Sequence, residues 1–223
     1  MNVLLLTDFS SGARHAHQYA LNLFAKANVN YFLLHANYEN SKRNTPNDQH
    51  LEHEITKYKN WGLNSSKFTT VNSSNSLIDA IRNMMKTHTI DLVVMGATGN
   101  SQKPNNPLGN NTKSTATKIK CPVLIIFQKS IIKTPLNVAF PIDYTDRLKV
   151  SCIEKLKILP NSSKFLIEIF EINAEKLEPL TSKNARNNLL KGLDQLIINF
   201  KKENDFNIND LGTSDKNQFD LIS

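Results

Sequence analysis

Residues 91–127, DLVVMGATGNSQKPNNPLGNNTKSTATKIKCPVLIIF, decide how the whole chain is read. An apolar run, Leu92 to Met95, breaks at Gly96. A polar loop with glycines at 96, 99 and 109 follows, and a second apolar run, Val123 to Phe127, closes the stretch. The pattern predicts strand, glycine loop, helix, strand. Gly96 and Gly99 can take backbone angles closed to residues with a Cβ, and they let a ligand approach the main chain. Gly109 stands at the entry to a predicted helix, Asn110 to Ile119, whose start is rich in Asn and Thr and whose end carries Lys118 and Lys120. The first N–H groups of such a helix lack partners and its dipole favours negative charge, so loop and helix make an anion cradle. The side chains of Asn110 and Thr112, with Lys103 and Lys113 nearby, are candidate further donors to phosphate oxygens.

Working back towards the N-terminus, the same alternation recurs. Val3 to Thr7 is a continuous apolar strand, as expected for one covered on both faces of a parallel sheet. Asp8-Phe9-Ser10-Ser11 supplies turn and cap chemistry for a helix from about Ala13 to Ala27, with Ala16, Ala20, Leu23 and Phe24 on one face. Tyr31 to His35 is a second strand. The polar stretch 37–49 reads as an exposed loop over a ligand site. His50 to Asn60 is helical, and Lys67 to Val71 is a short third strand. Leu77, Ile78, Ala80, Ile81, Met84 and Met85 then make an amphipathic helix ending near His88. The expected first domain, 1–130, is thus α/β: a doubly wound five-stranded parallel sheet with helices on both faces. In such sheets ligands sit beyond the carboxyl ends of the strands, where strand order reverses. Asp8, Ala36 and the glycine loop all lie at carboxyl ends, so they can converge.

At these residues the chain resembles the universal stress protein family. Gly96, Gly99 and Gly109 stand in a Gly-x2-Gly-x9-Gly spacing between DLVVMG and CPVLII, similar to that family's nucleotide-binding signature. The first strand ends in Asp8 before a helix, and the second, Phe32-Leu33-Leu34-His35-Ala36, ends in His and an apolar residue, as those domains do. Four such elements in order over about 130 residues make chance a poor explanation. The resemblance implies an adenine nucleotide alpha-hydrolase-like fold. It also implies a site for ATP or a related adenine nucleotide, with Mg2+ on the phosphates, formed by Thr7, Asp8, Ala36, Met95, Gly96, Thr98, Gly99, Gly109, Asn110 and Asn111. Asp8 matches the residue beside adenine and ribose, and Ala36 would offer main-chain groups to adenine. One departure weakens phosphate binding: ATP-binding members have Ser or Thr after the third glycine, where this chain has Asn110, whose amide can still donate. The loop SQKPNNPL, 101–108, is also more polar and proline-broken than usual.

After Lys129 the pattern restarts. Leu136 to Asp143 repeats the apolar strand ending in Asp, and Tyr144-Thr145-Asp146 can cap a helix carrying Val150, Ile153, Leu156 and Leu159. Phe165 to Phe170 matches the second strand. From about Ala185 to Lys202 the spacing of Leu189, Leu190, Leu193, Leu196, Ile197 and Phe200 predicts a long helix. Residues 134–223 therefore read as an incomplete second copy, in a tandem arrangement. It stops at Phe219 to Ser223, which resembles the start of the strand that leads into Gly96, and it has no second glycine loop. Asp143 is then an Asp without a phosphate cradle.

Composition bounds the rest. At 39% hydrophobic and 21% charged the chain can bury a core and does not have a disordered composition. It has no run of about 18 apolar residues for a membrane helix. MNVLLLTDF lacks the basic start of a signal peptide, so a cytoplasmic protein is expected. The net charge of +7 is uneven: residues 1–133 hold 15 Lys and Arg against 7 Asp and Glu, net +8, and the remainder 12 against 13, net −1. The basic residues are scattered without interleaved aromatics, which fits a face serving an anionic nucleotide better than a nucleic-acid surface.

Cys121 and Cys152 show no metal or disulfide spacing and read as packing. His35 reads as a partly buried strand-end residue. His50 and His53 lie at i and i+3 on a helix without a clear third metal ligand. His15 and His17 cannot share a helix face and are expected at the surface. No base, nucleophile or metal set is placed near the loop except Asp8, and neither a Gly-x-Gly-x-x-Gly nor a Ser-Gly-Gly run follows the first strand, so a catalyst is not expected. The expected function is a nucleotide-binding regulatory protein of the stress response that acts through a protein partner; the alternative is an interaction protein on the same fold without nucleotide. Fifth strands commonly pair across a dimer axis in the family, which implies a homodimer through the edge near Val123 to Phe127.

Overall fold

The computed structural model describes residues 1–37, 47–59, 67–99, 108–143, 154–162, 165–172 and 197–202. In the first half β1 (Asn2–Thr7), α1 (Ser11–Leu23), β2 (Asn30–Ala36), α2 (Asn47–Lys59), β3 (Lys67–Ser73), α3 (Leu77–Thr87), β4 (Leu92–Gly96), α4 (Asn110–Lys118) and β5 (Val123–Ile126) follow one another. They form a five-stranded parallel sheet in the order β3-β2-β1-β4-β5. The order reverses beside β1: β2 pairs with it from Asn2 to Thr7, but β4 pairs only from Val3 to Leu5. The carboxyl ends of β1 and β4 therefore diverge, which opens the crevice expected of a doubly wound sheet.

Period-two alternation sends successive strand residues to opposite faces. Leu4, Leu6, Phe32, Leu34, Val93, Met95, Val123 and Ile125 form one core with Ala80, Ile81 and Met84 of α3 and Ile119 after α4. Val3, Leu5, Tyr31, Leu33, Val94 and Ile126 point the other way, where α1 and α2 pack on the sheet. Both faces of the four strands β1, β2, β4 and β5 are covered, so these are largely apolar, whereas the edge strand β3 (KFTTVNS) is polar and partly exposed. Val123 to Ile126 lies at the sheet edge but is only 0–3% exposed.

Helix starts follow their caps. Ser10 is the N-cap of α1, its hydroxyl accepting from the Ala13 N–H at 3.1 Å, which begins the helix two residues earlier than expected. Ser76 caps α3 in the same way through the Asp79 N–H. His17 corrects the sequence reading: it is fully buried. It falls on the same face of α1 as Ala13, Ala16 and Ala20, and both ring nitrogens find partners, Nε2 the Leu6 carbonyl at 2.9 Å and Nδ1 the Tyr58 hydroxyl at 2.7 Å. A buried polar ring is tolerated when its hydrogen bonds are made. His15, half-buried, meets the Ser130 carbonyl at 2.8 Å.

Contacts divide the chain into two units, the first holding Met1–Lys133 and the second Thr134–Lys216. In the second, β6 (Asn137–Asp143), β7 (Leu166–Ile172) and β8 (Ile197–Lys202) form a parallel sheet in the order β6-β7-β8, with a 3-10 turn at Lys155–Ile158. β8 corrects the helix expected to reach Lys202. Its register against β7, Leu166↔Ile197 to Glu171↔Lys202, satisfies the backbone groups along that side of β7, and the β-branched pair Ile197-Ile198 with Phe200 suits a strand. The remainder of the expected helix and the closing stretch 219–223 lie outside the described residues. Among the described residues no helix is long and apolar enough to cross a membrane.

Candidate functional site

The crevice beside β1 holds a cavity of about 320 Å3, near the lower end of small-molecule pockets, about 300–1,000 Å3. Its wall is built where three strands end. Thr7 comes from β1 and Asp8 from the turn after it, Ala36 from β2, Met95 and Gly96 from β4, Thr98 and Gly99 from the loop, and Gly109, Asn110 and Asn111 from the start of α4. The ten residues named from sequence thus surround one space. Leu6, Ser10, Ala13, Leu77 and Thr112 complete the lining.

The turn after β1 is tightly specified. The Phe9 N–H donates to the Thr7 hydroxyl at 3.0 Å and the Ser10 N–H to the Asp8 carboxylate at 3.0 Å. Phe9 sits at φ 61°, a left-handed backbone that a bulky residue rarely adopts, and its ring packs against His35 at 4.6 Å and His50 at 5.7 Å. His35 also bonds the Thr7 carbonyl through Nδ1 at 2.9 Å. The strained turn leaves Asp8 exposed at the cavity.

The glycines act by close approach. A Cβ on Gly96 would lie 3.0 Å from the Gly12 main chain, and one on Gly12 would lie 2.9 Å from the Thr98 carbonyl oxygen. A Cβ on Gly99 would fall on the Asp8 carboxylate, so Gly99 lets the loop reach Asp8. Gly109 differs, since a Cβ there would meet nothing closer than 3.7 Å; its role is positional, as N-cap of α4 with its N–H on the Ala97 carbonyl at 2.8 Å. Gly12 is a site residue the sequence reading missed. Its signal was present, because a glycine in the first turn of a helix lowers helix propensity and needs a packing reason.

The donors are mostly backbone. The first-turn N–H groups of Asn110, Asn111 and Thr112 have no acceptor within α4 and face the cavity end of the helix. The Thr112 hydroxyl, a candidate phosphate donor, is instead buried and gives its hydrogen to the Gly96 carbonyl at 3.2 Å. Lys113 is exposed on α4 and does not line the cavity, and Lys103 lies outside the described residues. Among the described residues Asp8 is the one charged side chain in the lining. Among the described residues no group of three His, Cys, Asp or Glu could hold a metal ion.

A second polar cluster lies behind the cavity. Glu54 of α2 is buried and contacts Arg14 at 3.1 Å, Lys57 at 3.2 Å and the Tyr58 hydroxyl at 3.0 Å. Burial works to raise its pKa, but Tyr58, Lys57 and Arg14 outweigh it and hold the carboxyl below its usual range. Burial draws His17 down to about 4, against the upward pull of the Leu6 carbonyl, Glu54 and Asp8.

No curated protein matches the chain. Among solved structures, a universal stress protein from Archaeoglobus fulgidus DSM 4304 is similar over 90% of this chain and 78% of its own, with 13% identity and a TM-score of 0.58. A putative universal stress protein from Pseudomonas aeruginosa UCBPP-PA14 is similar over 89% and 73%, with 12% identity and a TM-score of 0.50. A universal stress protein solved in complex with cAMP covers 58% of this chain and 98% of its own, with 22% identity and a TM-score of 0.48. At such identities the first two speak for the fold alone. The model of the universal stress protein family matches residues 1–126, more than half of the sequence, and the chain belongs to that family.

Proposed function

We propose that the first half binds an adenine nucleotide, ATP or a relative, in the cavity beside β1, and that the protein acts as a nucleotide-responsive regulator in the stress response. One observation carries this reading: residues from three strand ends, the glycine loop and the start of α4 meet around one cavity, with main-chain N–H groups at one end. The close packing of Gly12, Gly96 and Gly99 fits a cradle that admits a ligand against backbone. Asp8 and the amides of Asn110 and Asn111 are placed to hold ribose and phosphate oxygens. Mg2+ enters only as a companion of the phosphates, since Asp8 alone among the described lining residues is a carboxylate. Binding rather than turnover is the proposed activity, since the described lining residues offer no activated nucleophile.

A second reading, an interaction protein without nucleotide, is favoured by the spent Thr112 hydroxyl and by Asn110 where a hydroxyl would serve. Thermal unfolding with ATP, ADP and AMP separates the two, because a ligand of the native state stabilises it by RT ln(1 + [L]/Kd). A saturable rise in Tm that Gly109→Glu abolishes supports the nucleotide site. No rise with any of the three, in folded protein, moves the assignment to the interaction protein.

We further infer that the second half is a shortened second copy, since β6-β7-β8 has the order and parallel sense of β1-β2-β3. Dimerisation through the β5 edge and a cytoplasmic location belong to the same reading. Because the β5 side chains are already buried, such a dimer would rest on main-chain pairing, and a monomer by light scattering at micromolar concentration would contradict it.

A further inference from the structure

We propose that His17, Tyr58 and Glu54 form a buried one-proton switch that ties α2 to the carboxyl end of β1. The inference is independent of the nucleotide reading and follows from counting hydrogens. The Leu6 carbonyl can only accept, so its 2.9 Å contact fixes the His17 hydrogen on Nε2. Two contacts remain, His17 Nδ1 to the Tyr58 oxygen at 2.7 Å and the Tyr58 oxygen to Glu54 Oε2 at 3.0 Å. A neutral His17, an ionised Glu54 and a Tyr58 hydroxyl offer one hydrogen between those two contacts. The cluster is one proton short of satisfying its own geometry.

Uptake of one proton from solvent at His17 Nδ1 completes it: Nδ1–H then donates to the Tyr58 oxygen, and the Tyr58 O–H donates to Glu54. No bond between heavy atoms changes. Without that proton, Tyr58 must give its hydrogen to one neighbour and leave the other contact unmade. Among the described residues the groups facing His17 are few. From β1 comes the Leu6 carbonyl, from the turn after it the charge of Asp8, from α1 Arg14, and from α2 Glu54, Tyr58 and the Lys57 that pairs with Glu54. β4 and β5, which also pack on α1, carry no titratable side chain. Burial opposes the charged imidazole and Glu54 favours it, so the switch closes under acid. Closing it links α2, through Tyr58, to Leu6, whose residue lines the cavity.

Long-range proton–nitrogen NMR of the full chain, titrated from neutral to acid, tests this. The expected spectrum is a neutral His17 with its hydrogen on Nε2, then uptake of one proton accompanied by a shift of the Tyr58 ring signals. Glu54→Gln should weaken the proton affinity of His17 several-fold. Arg14→Gln, at a half-exposed position that leaves the core intact, should strengthen it several-fold. A His17 with its neutral hydrogen on Nδ1, a His17 that stays neutral until the protein unfolds, or a midpoint that Arg14→Gln leaves in place would each overturn the proposal.

Discussion

The two halves of the chain open alike and diverge where it matters. β1 ends at Thr7 with Asp8 next, β6 ends in Ile142-Asp143, and each pairs in parallel with the strand that follows it. In the first half a fourth strand lies on the other side of β1, and its glycine loop turns back across the strand ends. In the second, among the described residues, β6 is an edge strand, and it contains Pro141, a residue that sheets accept at edges. A strand ending in Asp is therefore only half of a site. The crevice requires the strand order to reverse, and β6-β7-β8 does not reverse.

The largest expected effect breaks the comparison at the core. Leu5→Ala, at a residue with no exposure in the centre of the first sheet, should cost about 2–5 kcal/mol. Urea unfolding read from the NMR signals of the β1 amides should show that loss, while Ile167→Ala, equally buried in the second sheet, should leave the β1 transition in place. Equal shifts for both variants would mean that the halves unfold as one.

Acid should act next through the histidines, all six of which precede residue 89. The folded pKa of His17, about 4, lies below its ordinary 6.5, so the unfolded state binds the proton more tightly. Its contribution to stability is whole above pH 6.5 and falls away between pH 6.5 and 4, by about 3 kcal/mol. Urea midpoints measured across that window should decline in the wild type and flatten in His17→Gln.

Smaller effects sharpen the view of the loop. Gly96→Ala, which presses a methyl group on the Gly12 main chain, should cost about 1–3 kcal/mol, whereas Gly109→Ala has room and should leave Tm nearly unchanged. Ser76→Ala, which removes the cap of α3, should cost about 1 kcal/mol by the same urea assay.

Much of the first half was legible in the sequence because β1, β2, β4 and β5 are largely apolar runs and Gly96 and Gly99 stand where the main chain is closely approached. The cradle's neighbours were harder to see. Gly12 approaches Thr98 only once α1 is docked, and Thr112 loses its hydroxyl to a carbonyl sixteen residues away. His17 looked like a surface residue because its partners, Leu6 and Tyr58, are distant in sequence. β8 read as helix because Leu193, Leu196, Ile197 and Phe200 also fit a helical face, and only the open side of β7 decides between the two.

Calorimetric titration of ATP into the full chain tests the central claim most directly. The account predicts saturable binding with one nucleotide per chain, unchanged by Asp143→Asn and lost in Gly109→Glu. Absence of binding in folded protein, or a second equivalent of nucleotide that Asp143→Asn removes, would contradict it.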